Sequence, residues 1–235
     1  MRIDVERGLF LVADGMGGHG HGDVASRVAV DAIVRHMDDA FQRWDLGEGL
    51  DESGQRPVGV ELEYSLHAAH RSVVGAVAED QTLAGMGTTV VGLAAANGVI
   101  SLAHVGDSRA YRLRGGSLEL MTEDHTWVHE QVKAGYLSPE QARTHPLKSV
   151  VTRAVGGDHQ VEVDSRQVAV EDGDLFLVCS DGLTTMLTDN EILELLSTDG
   201  SLEDHCQQLV GRANDKGGVD NITVILVEVD VDSDS

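Results

Sequence analysis

The chain has 235 residues, of which 17 are Lys or Arg and 40 are Asp or Glu, so its net charge is -23. This length is ample for a hydrophobic core, and a content of 41% hydrophobic residues excludes a disordered acidic chain. The excess of acidic residues argues against nucleic acid and anionic membranes as partners, because both require clustered Lys and Arg.

The N-terminal part predicts one strand followed by two helices. An apolar run over residues 9–13 predicts the strand, which ends at Asp14-Gly15. Apolar residues then recur at helical spacing over 23–41 and again over 62–77, with a Gly-rich loop over 45–60 between them.

The middle of the chain predicts β-structure. Two turn sequences, Asn97-Gly98 and Gly115-Gly116, are typical of hairpins, and Gly106-Asp107 separates the central pair of apolar runs. We therefore expect an antiparallel sheet here. The predicted strands cover residues 88–95, 99–105, 110–114 and 117–121.

Residues 124–157 differ in character from the strands before them. They hold two short helical patterns, one of which begins at Ser138-Pro139-Glu140-Gln141 with a capping serine, a proline at the first helical position and a glutamine three residues after the serine. We interpret the block as a small insertion beside the sheet. The remaining elements are strands over 161–169 and 174–180, helices after Thr188 and over 201–214, and a last strand over 222–229.

Four aspartates lie at the ends of predicted strands. Asp14, Asp107 and Asp181 follow apolar runs, and Asp220 precedes the last one. In antiparallel packing these ends can share one rim, where four carboxylates would repel strongly unless cations lay between them. Carboxylate oxygen suits Mg²⁺ or Mn²⁺ better than Zn²⁺. Each aspartate also has Gly, Ser or Asn beside it, which is ordinary turn chemistry, so spacing alone does not show that the four meet.

Five segments carry a resemblance to a known family. In chain order they are Asp14-Gly15-Met16-Gly17-Gly18-His19, Gly85-Met86-Gly87-Thr88-Thr89, Gly106-Asp107-Ser108-Arg109, Cys179-Ser180-Asp181-Gly182-Leu183 and Asp220-Asn221-Ile222-Thr223. They resemble successive motifs of the metal-dependent type-2C (PPM-type) Ser/Thr protein phosphatases in their bacterial form, over residues 8–229. The block 124–157, with Asp124-His125-Thr126 and His145-Pro146, is similar to the flap of the bacterial members.

The resemblance implies an α+β fold, an α-β-β-α sandwich of two antiparallel sheets flanked by helices, as one catalytic domain over residues 1–235 with the flap inserted. It also implies that Asp14 bridges two Mn²⁺ or Mg²⁺ ions and that the Gly15 carbonyl ligates one of them. Asp181 and Asp220 would hold the second ion, and Asp107 with Asp181 a third, weaker one. A bridging water activated by the two cations would attack the phosphorus of phosphoserine or phosphothreonine.

The beginning of the chain departs from the family pattern. Family members usually place a strand, a phosphate-binding Arg and an Asn-x-Asp-type motif before the first apolar strand, whereas seven residues without that motif precede Gly8 here. We therefore expect a truncated or a divergent member. Two interpretations stay open: an active phosphatase, supported by the four aspartates, or a catalytically weak or inactive phosphatase-like binding module. A Ca²⁺-binding structural domain fits the aspartates but not the lack of a DxDxDG loop.

The Gly-rich loop beside Asp14 contains His19, at the place where a general acid for the leaving alcohol would lie. The alternative is that His19 is an ordinary loop or surface histidine. The resemblance implies phosphorylated proteins as partners, including Ser/Thr kinases and their substrates. The sequence shows no signal peptide and no apolar run of about 20 residues, so we expect a cytoplasmic protein, acting as a monomer.

Overall fold

The computed structural model describes residues 1–17, 21–157 and 160–231. Within these residues, two antiparallel sheets pack face to face, and helices cover both outer faces. This architecture confirms the predicted α-β-β-α sandwich. Among the described residues, no helix combines the length and the apolar character that a membrane span requires.

The helices and strands have the following bounds. The strands are β1 (Arg2–Asp4), β2 (Leu9–Val12), β3 (Gly15–Met16), β4 (Gly87–Thr88), β5 (Val90–Ala96), β6 (Val99–Val105), β7 (Arg109–Arg114), β8 (Ser117–Leu120), β9 (Val155–Gly156), β10 (Asp164–Ala169), β11 (Leu175–Cys179) and β12 (Val224–Glu228). The α-helices are α1 (Gly22–Asp45), α2 (Val58–Glu79), α3 (Trp127–Lys133), α4 (Pro139–Thr144), α5 (Asp181–Thr184), α6 (Asp189–Leu196) and α7 (Leu202–Asp215).

The first sheet has the strand order β1-β2-β5-β6-β10 and the second has the order β12-β11-β7-β8, while β3, β4 and β9 form a separate short sheet. Strand β2 is apolar along its whole length, without the alternation of apolar and polar residues that a half-exposed strand has. Leu9 and Leu11 face α1 and α2, whereas Phe10 and Val12 face the second sheet. Because both faces of the strand are covered, all four residues are buried.

Strand β11 of the second sheet is also covered on both faces. Phe176 and Val178 join the core between the sheets, and Leu177 and Cys179 pack under α6 and α7. The molecule therefore has three apolar layers, one between the sheets and one under each pair of helices. The layers bring the ends of β2, β6, β11 and β12 to one region of the sandwich, where the predicted metal ligands lie.

Several predicted elements need correction. Gly106-Asp107 does not join two paired strands, because the chain crosses there from β6 in the first sheet to β7 in the second. Strand β1 was not predicted, although it pairs with β2 from Arg2↔Leu11 to Asp4↔Leu9. The hairpins β5–β6 and β7–β8 and the two short helices of the insertion are confirmed.

Candidate metal centre

Asp14 follows β2, and two threonines fix its backbone. The Thr89 N–H and the Thr88 hydroxyl both donate to the Asp14 carbonyl oxygen, each over 2.8 Å. The Asp14 N–H donates to Thr89 Oγ1 over 3.2 Å. The same Thr89 oxygen lies 2.7 Å from the Ser108 hydroxyl, directly after Asp107. These threonines therefore connect the loop of Asp14 to the loop of Asp107.

Gly15 lies against the first turn of helix α1. A Cβ atom on Gly15 would lie 1.8 Å from the Gly22 carbonyl oxygen, and a Cβ on Gly22 would lie 2.5 Å from the Gly15 oxygen. Any side chain at either position would force the helix away from the turn, so both positions require glycine. The close approach fixes the Asp14-Gly15 turn over the start of α1.

Asp181 and Asp220 come together through their neighbours. Ser180 pairs with Thr223 through both backbone and side chain: Ser180 N–H donates to the Thr223 carbonyl, and Thr223 N–H donates to Ser180 Oγ, each over 3.1 Å. A Cβ on Gly182 would lie 2.2 Å from the Asn221 carbonyl oxygen. The two loops therefore touch, which places both aspartates at the same edge.

Asp107 lies at the crossover between the two sheets and is 8% exposed. The preceding Gly106 has φ +108°, and a Cβ there would lie 2.6 Å from the Cβ of Thr89. A glycine is required here because an L-residue would be strained at this φ and would collide with the threonine. The crossover thereby packs Asp107 against the segment that holds Asp14.

The four aspartates line one cavity of about 240 Å³, together with Gly15. Burial, and next the charge of Asp181, raise the pKa of Asp14 to about 7. Burial and Asp181 likewise raise the pKa of Asp107 to about 7. The pKa of Asp181 is raised by burial and by the charge of Asp220. The physical causes of these shifts are the poor solvation of the site and the mutual repulsion of its neighbouring carboxylates.

The donor set of this cavity fits divalent cations. Four carboxylates and a carbonyl oxygen are hard ligands, which Mg²⁺ and Mn²⁺ prefer. Partly buried carboxylates without a counter-charge lower the stability of the fold. A bound cation removes their mutual repulsion and allows them to stay ionised.

A second cavity, of about 420 Å³, opens beside the first and is also lined by Asp107 and Asp181. One wall belongs to the flap (residues 124–157) and carries apolar side chains of α3 and α4 together with Arg143 and Lys148. Residues 184–189, after the Asp181 turn, form the opposite wall. We call this second cavity the groove.

His19, the predicted proton donor, belongs to the residues that the structure does not describe. Arg2 pairs with Asp4 over 3.2 Å, and Arg7 pairs with Asp38 of helix α1. The roles of the aspartates and of the Gly15 carbonyl as metal ligands stay predictions.

Sequence reasoning did not select three further residues of the site. Thr89 and Ser149 line the metal cavity, and the charge of Asp124 contributes to the raised pKa of Asp107. Asp124 also accepts two hydrogen bonds from Arg109, over 2.8 and 2.7 Å. The signal that could have found Asp124 is the Asp124-His125-Thr126 motif, which was assigned only to the flap.

A two-sheet sandwich flanked by helices, with four carboxylates around one cavity, is the architecture expected of the metal-dependent phosphatases that the motifs resemble. The chain belongs to the protein phosphatase 2C family, whose model matches residues 1–226.

Individual relatives extend this result. The Ser/Thr phosphatase stp of Listeria monocytogenes serotype 4b is 39% identical over 223 residues, which cover 95% of this chain and 85% of the relative. The crystal structure of the Mycobacterium tuberculosis phosphatase PstP/Ppp matches with a TM-score of 0.84 at 34% identity, covering 95% of this chain and 88% of that one. A structure of the PstP catalytic domain with two manganese ions has the same identity and coverage, with a TM-score of 0.81.

Proposed function

We propose that this chain is a Ser/Thr protein phosphatase that hydrolyses phosphoserine and phosphothreonine esters with Mn²⁺ or Mg²⁺. The convergence of four carboxylates from four separate segments on one 240 Å³ cavity carries the proposal. The family membership and the two manganese ions in the structure of a relative support it.

The residues of the cavity have distinct proposed roles. Asp14, with the Gly15 carbonyl, would hold the two principal cations together with Asp181 and Asp220, and Asp107 would contribute with Asp181 to a third, weaker site. When bound, the cations neutralise phosphate charge and lower the pKa of coordinated water.

Hydrogen bonds within the chain hold the residues around this cavity in position. The hydrogen bonds from Thr88 and Thr89 hold the Asp14 backbone in place before any ligand arrives. Because two aspartates have pKa values of about 7, these carboxyl groups must lose their protons before they can bind a cation. His19 is the proposed donor of a proton to the leaving alcohol.

The groove supports phosphoproteins rather than small phosphate esters as substrates. It continues from Asp107 and Asp181, and its volume of about 420 Å³ leaves room for residues that flank a phosphorylated side chain. Arg143 and Lys148 place positive charge there on a chain whose net charge is -23. We propose that acidic flanking residues bind here, and that the substrates are Ser/Thr kinases and their targets in the cytoplasm.

The test is phosphate release from a phosphothreonine peptide, with and without Mn²⁺, by the wild type and by Asp181→Ala. We expect Mn²⁺-dependent turnover that the substitution abolishes, because Asp181 lies between Asp14, Asp107 and Asp220. Asp45→Ala, which removes an exposed carboxylate at the end of α1, is the matched control and should retain full activity.

Two results would contradict the proposal. Turnover that survives in Asp181→Ala would refute the metal assignment. A folded wild type that binds Mn²⁺ but releases no phosphate would favour the alternative, a phosphatase-like binding module.

A further inference from the structure

His125 lies at the start of the flap, 4% exposed, and makes an unusual pair of contacts with Gly106. Its backbone N–H donates to the Gly106 carbonyl oxygen over 3.0 Å. Its ring Nδ1 accepts the Gly106 N–H over 3.1 Å. One residue therefore satisfies both backbone polar groups of the residue that immediately precedes Asp107.

These contacts fix the protonation of the imidazole. Because Nδ1 accepts a hydrogen bond, the ring proton of the neutral imidazole lies on Nε2. Nε2 lies 3.1 Å from Asp164 Oδ2 and donates to it. Arg153 Nη1 lies further from Nε2, at 3.4 Å, and donates to the other Asp164 oxygen over 3.1 Å. Burial lowers the pKa of His125, which favours this neutral ring. The ring is thus held at both nitrogens.

The same histidine belongs to a group that resembles a metal site. Ligand atoms of His104, His125 and Asp164 lie within 4.8 Å of one another, and the two rings stack at 4.7 Å. A cation would need an unprotonated nitrogen from each ring. His125 has none to offer, because one nitrogen accepts from Gly106 and the other carries the proton. The arrangement therefore favours a hydrogen-bond network over a cation site.

We propose that His125 is a positioning residue that sets the place of the Asp107 carboxylate. Gly106 is held between Thr89 on one side and His125 on the other, so that Asp107 has little freedom to move. Asp124, the neighbour of His125, is fixed by Arg109, which anchors the start of the flap to β7. The inference rests on the proposed function, since it assigns Asp107 to the metal site.

The first measurement uses the wild type and does not depend on activity. Long-range ¹H–¹⁵N NMR spectra should show His125 as the tautomer protonated at Nε2, and the Gly106 amide should exchange slowly with solvent. A ring protonated at Nδ1 could not accept the Gly106 N–H and would overturn the proposal.

The second measurement compares variants by calorimetric titration with Mn²⁺. His125→Leu should lose the protection of the Gly106 amide. It should also weaken Mn²⁺ binding at the third, weaker site, to which Asp107 contributes, about tenfold or more, as is typical when support of a metal ligand is removed. His125→Asn keeps an acceptor near the position of Nδ1, so its Mn²⁺ affinity and its Gly106 protection should lie closer to the wild type than to His125→Leu.

A buried histidine elsewhere provides the control. His205 of α7 is 7% exposed, and its Nε2 lies 3.0 Å from the Thr198 carbonyl oxygen. His205→Leu should lower thermal stability without changing Mn²⁺ affinity. Unchanged affinity of the third Mn²⁺ site in His125→Leu, or no recovery of that affinity in His125→Asn, would overturn the inference. A wild type that binds no Mn²⁺ would instead refute the proposed function.

Discussion

Gly182 allows the loops of Asp181 and Asp220 to touch because it has no side chain. A Cβ atom there would lie 2.2 Å from the Asn221 carbonyl oxygen. Gly15 and Gly106 also have close neighbours: a Cβ atom would lie 1.8 Å from the Gly22 oxygen and 2.6 Å from the Thr89 Cβ, respectively. At each of these positions the glycine adjoins an aspartate of the metal cavity. Because each of these glycines has no side chain, the aspartate beside it can come close to the other carboxylates.

We expect Gly182→Ala to push the Asp181 and Asp220 loops apart. Overpacking of this kind costs about 1–3 kcal/mol in the free energy of unfolding, and the spread ligands should also bind Mn²⁺ more weakly. Denaturant unfolding and calorimetric titration with Mn²⁺ measure the two effects.

The control for this substitution is Gly211→Ala. Gly211 lies in helix α7, and a Cβ there would meet no atom within 4 Å. Alanine should therefore stabilise the protein by up to about 1 kcal/mol and leave Mn²⁺ affinity unchanged. Wild-type stability and affinity in Gly182→Ala would show that the loops accommodate the extra methyl group.

At the scale of elements, the two ends of the flap are joined to each other. Thr126 and Val151 form a bridge between the two ends, and the Trp127 N–H donates to the Val150 carbonyl over 2.9 Å. Helices α3 and α4 lie beyond this attachment and line the groove. The proposed function therefore assigns the choice of polypeptide to the flap and the chemistry to the metal cavity.

Reversing the charge of the flap should separate these two properties. We expect Arg143→Glu combined with Lys148→Glu to raise KM for a phosphopeptide with acidic flanking residues. We expect a small aryl phosphate to bind at the metal cavity without using Arg143 or Lys148, so its kcat/KM should hardly change. Steady-state kinetics with both substrates measure the difference.

The matched control is Arg35→Glu combined with Arg71→Glu, which changes the net charge equally on exposed positions of α1 and α2. It should leave KM for the acidic peptide close to that of the wild type, because the groove is unaltered. If both double variants raised KM alike, the effect would come from overall charge. If Arg143→Glu combined with Lys148→Glu lowered kcat/KM equally for the peptide and the aryl phosphate, this would argue against a role of the groove in substrate choice.

For the molecule as a whole, local sequence signals predicted most elements but not how they are arranged. The capping sequence at Ser138 begins a helix as expected, because a cap acts within one turn. The helix predicted after Thr188 also forms, and Thr188 caps it in the same way. The sequence Gly106-Asp107 predicted an ordinary turn. A turn sequence does not specify whether the next strand joins the same sheet, and here β7 joins the second sheet. The bond from Gly106 to His125 could not be predicted either, because tertiary packing brings these two segments together.

The pH dependence of cation binding follows from the aspartates of the whole site. The pKa values of Asp14 and Asp107 rise from 3.8 to about 7 in the folded protein, so between these values the folded state binds more protons than the unfolded state. Without cations, these two groups therefore stabilise the fold less as pH rises through that interval. His104, whose pKa burial lowers to about 4, acts in the opposite direction between pH 4 and its ordinary value of 6.5.

The increase in thermal stability on adding Mn²⁺ isolates the contribution of the carboxylates, because His104 is present equally with and without the cation. Protons compete with Mn²⁺ at Asp14 and Asp107, so each titrating carboxylate should weaken the apparent affinity about tenfold per pH unit below 7. At fixed Mn²⁺ we expect a larger rise in Tm at pH 8 than at pH 5.5. Asp181→Ala should show little rise at either pH. Equal rises in the wild type at both values would mean that cations bind without displacing protons from these aspartates.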